Sequence, residues 1–190
     1  TDTNRFYLKN MSLKVNYITK ATNKISSNVV LFSNDDFKID AIKSNLSSLE
    51  FSYIKDLLKT SDLKKNLLVF ELTSKKKIIL ISIKKNLKTS DIENLGAEFY
   101  SRINYGKNSE YFIFSDSIQS KNKDFLSHFL HGLKLKSYEF KKYKTKKDSR
   151  NIAIHVLGNK NKPSVQNQLK FKALEEGTFY ARDLVSEPGN

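Results

Sequence analysis

The sequence contains no cysteine and no tryptophan, and it has only one methionine, two prolines and six glycines among its 190 residues. Because cysteine is absent, the chain can form neither disulfide bonds nor thiolate metal sites, a composition typical of a reducing compartment. The glycines lie far apart, and none is within five residues of another. Loops that hold phosphate through backbone amides need clustered glycines, so the sequence disfavours a nucleotide-binding loop.

Long apolar runs are also absent. No stretch approaches the roughly 18 apolar residues of a membrane span, and no basic segment followed by an apolar one suggests a secretion signal. We therefore expect no membrane partner. Hydrophobic residues make up 38% of the chain and aromatic residues 12%, which favours a folded domain over disorder. The length is sufficient for one domain with a hydrophobic core and an appendage.

Acidic residues are too few to balance the basic ones. The chain has 34 lysines and arginines against 20 acidic residues, a formal net charge of +14. Such a charge is typical of proteins that bind nucleic acid or anionic surfaces, but it also arises from AT-rich coding, which favours lysine, asparagine, isoleucine, phenylalanine and serine. Arginine occurs only at Arg5, Arg102, Arg150 and Arg182. Because dedicated phosphate-binding proteins depend on the planar fork of arginine, we favour a solvated lysine surface.

Apolar periodicity predicts six strands. Alternating apolar residues over 13–18 indicate a half-buried strand, and the continuous apolar run over 28–32 indicates a strand covered on both faces. Further strands are predicted over 67–72, 78–83, 110–114 and 152–157. The pair at 67–72 and 78–83 is separated by a short polar turn and could form a hairpin.

Four helices are predicted between and after these strands. The first covers 46–58, with Leu46, Leu49, Tyr53, Leu57 and Leu58 on one face. The second begins at a capping box formed by residues 90–93, buries Ile92, Leu95, Phe99 and Ile103, and ends near 104–106. The third covers 124–133, with Phe125, Phe129, Leu130 and Leu133 inward. The fourth begins at residues 163–164, and its apolar positions are Val165, Leu169, Ala173, Tyr180 and Leu184.

The alternation of strands and helices predicts an α/β domain with helices on both faces of a sheet. Residues 1–10 precede the first methionine and lack a clear period, so we interpret them as a leader or a disordered tail. Residues 11–162 then form the α/β domain. Residues 163–190 form a helix of about 20 residues that leads into a Pro-Gly stop, and we interpret this helix as a linker.

Histidines are the first candidates for chemistry. His128 and His131 are three residues apart on a predicted helix, a spacing that can bind zinc. No cysteine and no obvious third ligand accompany them, so we expect a surface or half-buried pair. His155 lies within a predicted strand, where a structural role is expected.

Paired carboxylates are the second candidates. Asp35 and Asp36 are adjacent, as are Glu175 and Glu176, but adjacent side chains on a strand or helix point apart. We therefore expect a turn at the first pair and a solvated helix face at the second. No Gly-x-Ser-x-Gly segment suggests a nucleophilic serine, so we predict no catalytic residue in this chain.

Residues 134–147 form the strongest local concentration of positive charge. The lysines of this basic segment are Lys134, Lys136, Lys141, Lys142, Lys144, Lys146 and Lys147. Tyr138, Phe140 and Tyr143 lie between them, and basic residues interleaved with aromatic ones can follow a nucleic-acid backbone. One hypothesis is therefore a stand-alone basic module that binds nucleic acid. The alternative is that the aromatic residues pack within the domain.

Two segments of the sequence resemble one known family. Residues 132–147, GLKLKSYEFKKYKTKK, are similar to its Gly-x-x-Leu-x-x-Tyr-x-Phe-x-x-Tyr-Lys-Thr-Lys segment. Residues 181–190, ARDLVSEPGN, are similar to its Ala-Arg-Asp-Leu-Val-Asn-x-Pro-x-Asn junction, with Ser186 where the family usually has asparagine. On these residues, in this order, the chain from residue 11 to 190 resembles the amino-terminal, non-catalytic half of the leucine (cytosol) aminopeptidases.

This resemblance implies a three-layer, macro-domain-like fold and a cytoplasmic enzyme that removes amino-terminal residues from peptides. It also implies a homohexamer and two divalent metal ions, zinc or manganese, in the full-length protein. The family's metal ligands lie on a later domain, in a Gly-Lys-Gly segment and an Asn-Thr-Asp-Ala-Glu-Gly-Arg-Leu run, and neither occurs here. The resemblance therefore implies no metal ligand in this chain and a catalytic domain as its partner. The scattered glycines disfavour the ADP-ribose binding of true macro domains.

Overall fold

The computed structural model describes residues 13–18, 25–104, 108–138 and 151–187. Within these residues the strands are β1 (Leu13–Tyr17), β2 (Asn28–Asn34), β3 (Leu67–Thr73), β4 (Lys76–Ile83), β5 (Asn108–Phe114) and β6 (Asn151–Leu157). The α-helices are α1 (Ser48–Leu58), α2 (Thr89–Ile103), α3 (Phe125–Lys136) and α4 (Val165–Ser186), with short 3₁₀ helices at Asp40–Asn45 and Ser115–Ser117. Each predicted strand and helix is present, with ends shifted by a few residues. The predicted leader, residues 1–10, lies outside the described residues.

The strands form one mixed sheet in the order β1-β6-β5-β2-β4-β3. β3 and β4 pair antiparallel, which confirms the predicted hairpin, and all other neighbouring strands pair in parallel. β2 lies at the centre, and its residues Val29 to Ser33 are all buried. Their continuous apolar run is therefore explained by helices on both faces of the sheet.

Two hydrophobic cores lie on opposite faces of the sheet. On one face α2 and α3 pack against the strands, and the ring of Phe32 on β2 contacts those of Phe125 and Phe129 edge to face, with centroids 5.5 and 5.4 Å apart. On the other face, Ile54 of α1 and Ile42 of the first 3₁₀ helix cover the sheet. These layers confirm the predicted α/β class, a mixed sheet with helices on both sides.

Helices α2 and α3 approach each other closely at two glycines. A Cβ atom on Gly96 would lie 1.9 Å from the carbonyl oxygen of Phe129, and one on Gly132 would lie 1.9 Å from the carbonyl oxygen of Glu93. Only a residue without a Cβ atom allows the two backbones to come this near. The crossing brings Phe99 of α2 within 5.6 Å of Phe129 on α3, measured between ring centroids.

The predicted inward face of α1 is wrong at Leu49 and Tyr53, whereas Leu46, Leu57 and Leu58 pack against the core as predicted. Ile54 is the buried residue of the helix, whereas Leu49 is 84% exposed and Tyr53 is also exposed. Phe51 and Leu58 lie three residues before and four after Ile54, and both pack against the core. The buried face therefore follows the 51-54-58 spacing of a helix, which is rotated away from Leu49 and Tyr53.

The predicted capping box at residues 90–93 is also wrong. α2 begins at Thr89, and the carboxylate of Asp91 accepts a hydrogen bond from the backbone N–H of Lys88, at 2.8 Å. A capping box instead precedes α1, where Ser47 and Glu50 exchange hydrogen bonds at 3.2 and 2.9 Å. Both segments satisfy free amides at the start of a helix. The spacing of the side chains alone did not show which of the two helices begins with the reciprocal pair of hydrogen bonds of a capping box.

Helix α4 packs against α3 and belongs to neither of the two helical layers that cover the sheet. It begins at Ser164, whose hydroxyl accepts a hydrogen bond from the backbone N–H of Asn167 at 3.1 Å, as predicted for the start of this helix. No helix among the described residues is long and apolar enough to cross a membrane.

Candidate functional site

The inner face of α4 is attached to the domain through a buried carboxylate. Glu175 is 4% exposed, and its Oε1 lies 3.0 Å from Nδ1 of His131 on α3. Its Oε2 lies 3.1 Å from Nζ of Lys134, one turn further along α3, and the two groups form a salt bridge. A buried carboxylate is costly unless it is paired and hydrogen-bonded, so these contacts fix both the position and the rotation of α4. The predicted solvated face is therefore wrong for Glu175 and holds for its exposed neighbour Glu176.

Tyr17 of β1 lies beside this carboxylate. Burial, followed by the negative charge of Glu175, raises the pKa of Tyr17 to about 12. The space enclosed between β1, α3 and α4 is only about 10 Å³, the least volume that could hold a water molecule. The junction is therefore a packed contact and offers no room for a ligand.

The two helical histidines lie at helix junctions. His131 contacts Glu175 of α4, whereas Nδ1 of His128 lies 3.1 Å from Oε1 of Glu93 on α2. The ring of Phe171, from α4, packs against both imidazoles, with centroid distances of 5.0 and 4.9 Å. Each histidine thus joins α3 to a different helix. In the part of the chain that the structure describes, no group of three or more histidine, aspartate or glutamate residues could hold a metal ion.

The carboxyl-terminal half of α4 makes a second set of polar contacts. The hydroxyl of Tyr138 donates to Oδ1 of Asp183 at 2.6 Å, and Nη1 of Arg182 donates to the carbonyl oxygen of Leu135 at 2.8 Å. Arg182 also lies over the Tyr138 ring, and Phe179 stacks on that ring with centroids 5.3 Å apart. Burial, then the hydrogen bond to Asp183 and its charge, raise the pKa of Tyr138 to about 12. The segments 132–147 and 181–190, which carry the family resemblance, therefore touch each other.

The outer face of α4 carries an apolar stripe, formed by Val165, Leu169, Ala173, Tyr180 and Leu184. At about 100° of rotation per residue these positions occupy one side of the helix, well away from Phe171 and Glu175. All five are exposed, and the four larger side chains are between 53% and 72% exposed. The predicted apolar periodicity is present, but it points away from the domain. Helix α4 thus departs from the usual pattern, since its buried side carries several polar contacts while these five exposed positions are apolar.

The basic segment is described only at its start. Lys134 is paired with Glu175, and its side chain is 19% exposed, while Lys136 is exposed. The remaining lysines of the prediction, Lys141, Lys142, Lys144, Lys146 and Lys147, lie outside the described residues. The structure therefore removes Lys134 from a free cationic surface.

Two other candidates are placed in structural settings. Asp35 and Asp36 form the turn after β2, as expected. His155 on β6 stacks on the ring of Phe112, with centroids 4.8 Å apart, and its Nε2 lies 3.5 Å from a carboxylate oxygen of Glu110. These contacts of Asp35, Asp36 and His155 involve no residue of α4.

Two backbone amides that follow β6 bind the carboxylate of Asp116, which follows β5. Oδ1 of Asp116 accepts hydrogen bonds from the backbone N–H groups of Asn159 and Lys160, at 2.8 and 2.5 Å. Gly158 precedes them with φ of +123°, a conformation that favours glycine. Consecutive amides of this kind attract anions, and here the protein's own carboxylate occupies them.

Comparisons with known proteins agree with this architecture. The model of the cytosol aminopeptidase family, N-terminal domain, matches residues 29–147, which is more than half of the chain. Among solved structures, a mutant of tomato leucine aminopeptidase has a TM-score of 0.63 at 14% sequence identity, covering 93% of this chain and 38% of that enzyme. Cytosol aminopeptidase from Coxiella burnetii has a TM-score of 0.55 at 11% identity, covering 90% of this chain and 33% of that one.

A third similar structure is the bottromycin maturation enzyme BotP in complex with Mn, with a TM-score of 0.56 at 11% identity, covering 86% of this chain and 32% of that enzyme. No curated protein matches the chain by sequence. At these identities the solved structures share the fold. The chain spans between about a third and two fifths of their length.

Proposed function

Since this chain belongs to the cytosol aminopeptidase family through its N-terminal domain, we propose that it is the non-catalytic, amino-terminal part of a metal-dependent leucyl aminopeptidase. The family match confirms the membership predicted from residues 132–147 and 181–190. In this proposal the full-length enzyme removes amino-terminal residues from peptides in the cytoplasm and assembles as a homohexamer. Residues 11–162 are its α/β domain, and residues 163–190 are the link to its catalytic domain.

The observation that carries the proposal is the family match together with the coverage of the solved relatives. The chain is covered almost completely by tomato leucine aminopeptidase, yet it accounts for only 38% of that enzyme. A domain of the matching size and fold therefore occurs in the relatives together with a larger remainder. We assign peptide hydrolysis to the corresponding remainder of the full-length protein.

The two divalent ions, manganese or zinc, belong to that catalytic domain in this proposal. Metal ions of this kind polarise the scissile carbonyl and lower the pKa of the attacking water. The segments that carry the family's metal ligands do not occur in this sequence. The described histidines do not suit the role either, because neither His128 nor His131 belongs to a group of three or more histidine, aspartate or glutamate residues that could hold a metal ion.

The role that remains for this chain is structural. Helix α4 is held by contacts with α3 and the residues that follow it, through Glu175 near its middle and through Arg182 and Asp183 near its carboxyl end. A linker helix held in this way sets the direction in which the next domain begins. We therefore propose that the chain acts as a scaffold that orients the catalytic domain and contributes to assembly.

An activity assay tests the proposal. The 190-residue chain and the full-length protein are each loaded with manganese or zinc and incubated with a leucine anilide. We expect hydrolysis by the full-length protein, its loss on metal chelation, and no hydrolysis by the 190-residue chain. Cleavage by the 190-residue chain contradicts the non-catalytic role, and an inactive metal-loaded full-length protein contradicts the assignment as an aminopeptidase.

A further inference from the structure

We propose that the apolar stripe of α4 is the surface on which the catalytic domain of the same polypeptide docks. This inference rests on the proposed function, which supplies that domain. It assigns a contact surface to Val165, Leu169, Ala173, Tyr180 and Leu184, which no contact within the described residues covers.

The first argument is that α4 cannot turn its apolar stripe inward. Rotating the helix would separate Glu175 from His131 and Lys134, leaving a carboxylate unpaired in a buried place. It would also break the hydrogen bonds of Arg182 and Asp183 with the end of α3 and the residues that follow it. The stripe is therefore held on the outside mainly by the contacts of Glu175 and Arg182, which lie across the helix from it.

The second argument is the extent of the stripe. Single exposed apolar side chains are common on protein surfaces. Here five exposed apolar residues, Val165, Leu169, Ala173, Tyr180 and Leu184, lie along one side of the helix over about 28 Å at 1.5 Å per residue, while the exposed Leu174 and Val185 lie on another side. An aligned apolar surface of this length is typical of a protein–protein contact. Lys172 and Glu176, whose charged groups lie 3.9 Å apart, are on the same side of the helix, with Glu176 among the apolar residues and Lys172 beside them.

The third argument identifies the occupant. The stripe itself is apolar, which does not suit a nucleic acid. A domain joined to the end of α4 is present at a high effective concentration next to the stripe, and the solved relatives contain more than half of their length beyond the matched part.

Thiol labelling tests the surface, and the absence of native cysteine in the 190-residue chain simplifies it. Ala173→Cys places a thiol in the stripe, and the matched control Ala181→Cys places one on an exposed position of the same helix outside the stripe. Tyr180→Cys provides a second stripe position. Iodoacetamide modification rates are measured peptide by peptide by mass spectrometry, in the 190-residue chain and in the full-length enzyme.

We expect all three thiols to react rapidly in the 190-residue chain. In the full-length enzyme the two stripe thiols should react at least about tenfold more slowly, while the Ala181→Cys thiol changes by less than about threefold. Stripe thiols that react equally fast in an active full-length enzyme overturn this inference and leave the proposed function intact. Protection in the 190-residue chain that rises with concentration, together with a dimer in light scattering, also overturns it because a second copy is then the occupant. A full-length protein without peptidase activity removes the proposed function itself.

Discussion

Replacing either glycine at the crossing of α2 and α3 with alanine should destabilise the domain strongly. The added Cβ atom of Gly96→Ala or Gly132→Ala would lie 1.9 Å from a backbone carbonyl oxygen of the other helix. A backbone atom within a helix cannot move aside as the end of a flexible side chain can. The two helices must therefore separate, and the packing of Phe99 against Phe129 is loosened with them.

The size of the effect follows from two opposing contributions. Forcing extra atoms into a packed interior costs about 1–3 kcal/mol and occasionally more, and backbone contact at both glycines places these variants at the upper end. Alanine in place of glycine improves helix propensity by up to about 1 kcal/mol. We therefore expect a net loss of about 2 kcal/mol in the free energy of unfolding for each variant, which corresponds to a fall in Tm of roughly 4–8 °C for a chain of this length.

Gly177 supplies the matched control. It lies in α4, and a Cβ atom there would meet nothing within 4 Å, so Gly177→Ala should stabilise the protein by about 0.5–1 kcal/mol. Thermal unfolding by circular dichroism and urea unfolding measure all three variants. The reasoning is refuted if Gly96→Ala and Gly132→Ala unfold at the temperature of the unmodified chain, or if Gly177→Ala is destabilised as much as they are.

Three further predictions concern ionisable groups. Glu175→Gln should lower the free energy of unfolding in urea by about 1–3 kcal/mol, because a buried contact with a lysine and a histidine is lost. Glu176→Gln on the exposed side should change it by less than about 0.5 kcal/mol, and equal losses of stability in the two variants would contradict the buried junction. The pKa of Tyr17 is about 12 when the chain is folded and about 10 when it is unfolded. This difference contributes stability that is present below pH 10 and lost as pH rises from 10 towards 12, and after allowance for the partial exposure of Tyr17 we expect at most about 2 kcal/mol. Urea unfolding across this pH range should show a smaller loss of stability for Tyr17→Phe than for the unmodified chain. Binding of labelled duplex DNA, followed by anisotropy, should be weak at low salt and vanish at physiological salt, unchanged by Lys134→Ala; tight binding that Lys136→Ala reduces would instead support the nucleic-acid hypothesis.

The strands and the fold class could be predicted from the sequence because their signals are local. The apolar run of β2 and the alternation in β1 each lie within a few consecutive residues, and neighbouring strands reinforce the same α/β order. The hairpin of β3 and β4 was predictable for the same reason, since the pairing partners are adjacent in the chain. Strand order could not be predicted, because the pairing of β1 with β6 joins residues that are far apart in sequence.

The errors arose where several positions of a helix were equally apolar. In α1 two sets of apolar residues both have helical spacing: the exposed Leu49 and Tyr53, and the inward Phe51 and Ile54. Only the position of the sheet decides which set is buried. Propensity and periodicity describe one helix, while burial depends on what the helix meets.

The polar side of α4 was missed for a different reason. In the sequence Glu175 is part of an acidic pair that is expected to be solvated. The fold places it beside His131 and Lys134, which lie more than 40 residues earlier in the chain. A usable signal was present in the two segments that carry the family resemblance, since Tyr138 and Asp183 turn out to be hydrogen-bonded partners. Segments that recur together in one family are candidates for direct contact.

The position of β1 at the edge of the sheet has a consequence for synthesis of the chain. Its residues Leu13 to Tyr17 pair with Ile152 to Val156 of β6, so β1 leaves the ribosome long before its partner emerges. Until then the nascent chain carries a strand with one apolar face and free backbone amides, a form open to wrong pairing. Closing so long a loop late makes assembly of this edge slow, and the edge is where a cell's chaperones would be needed most.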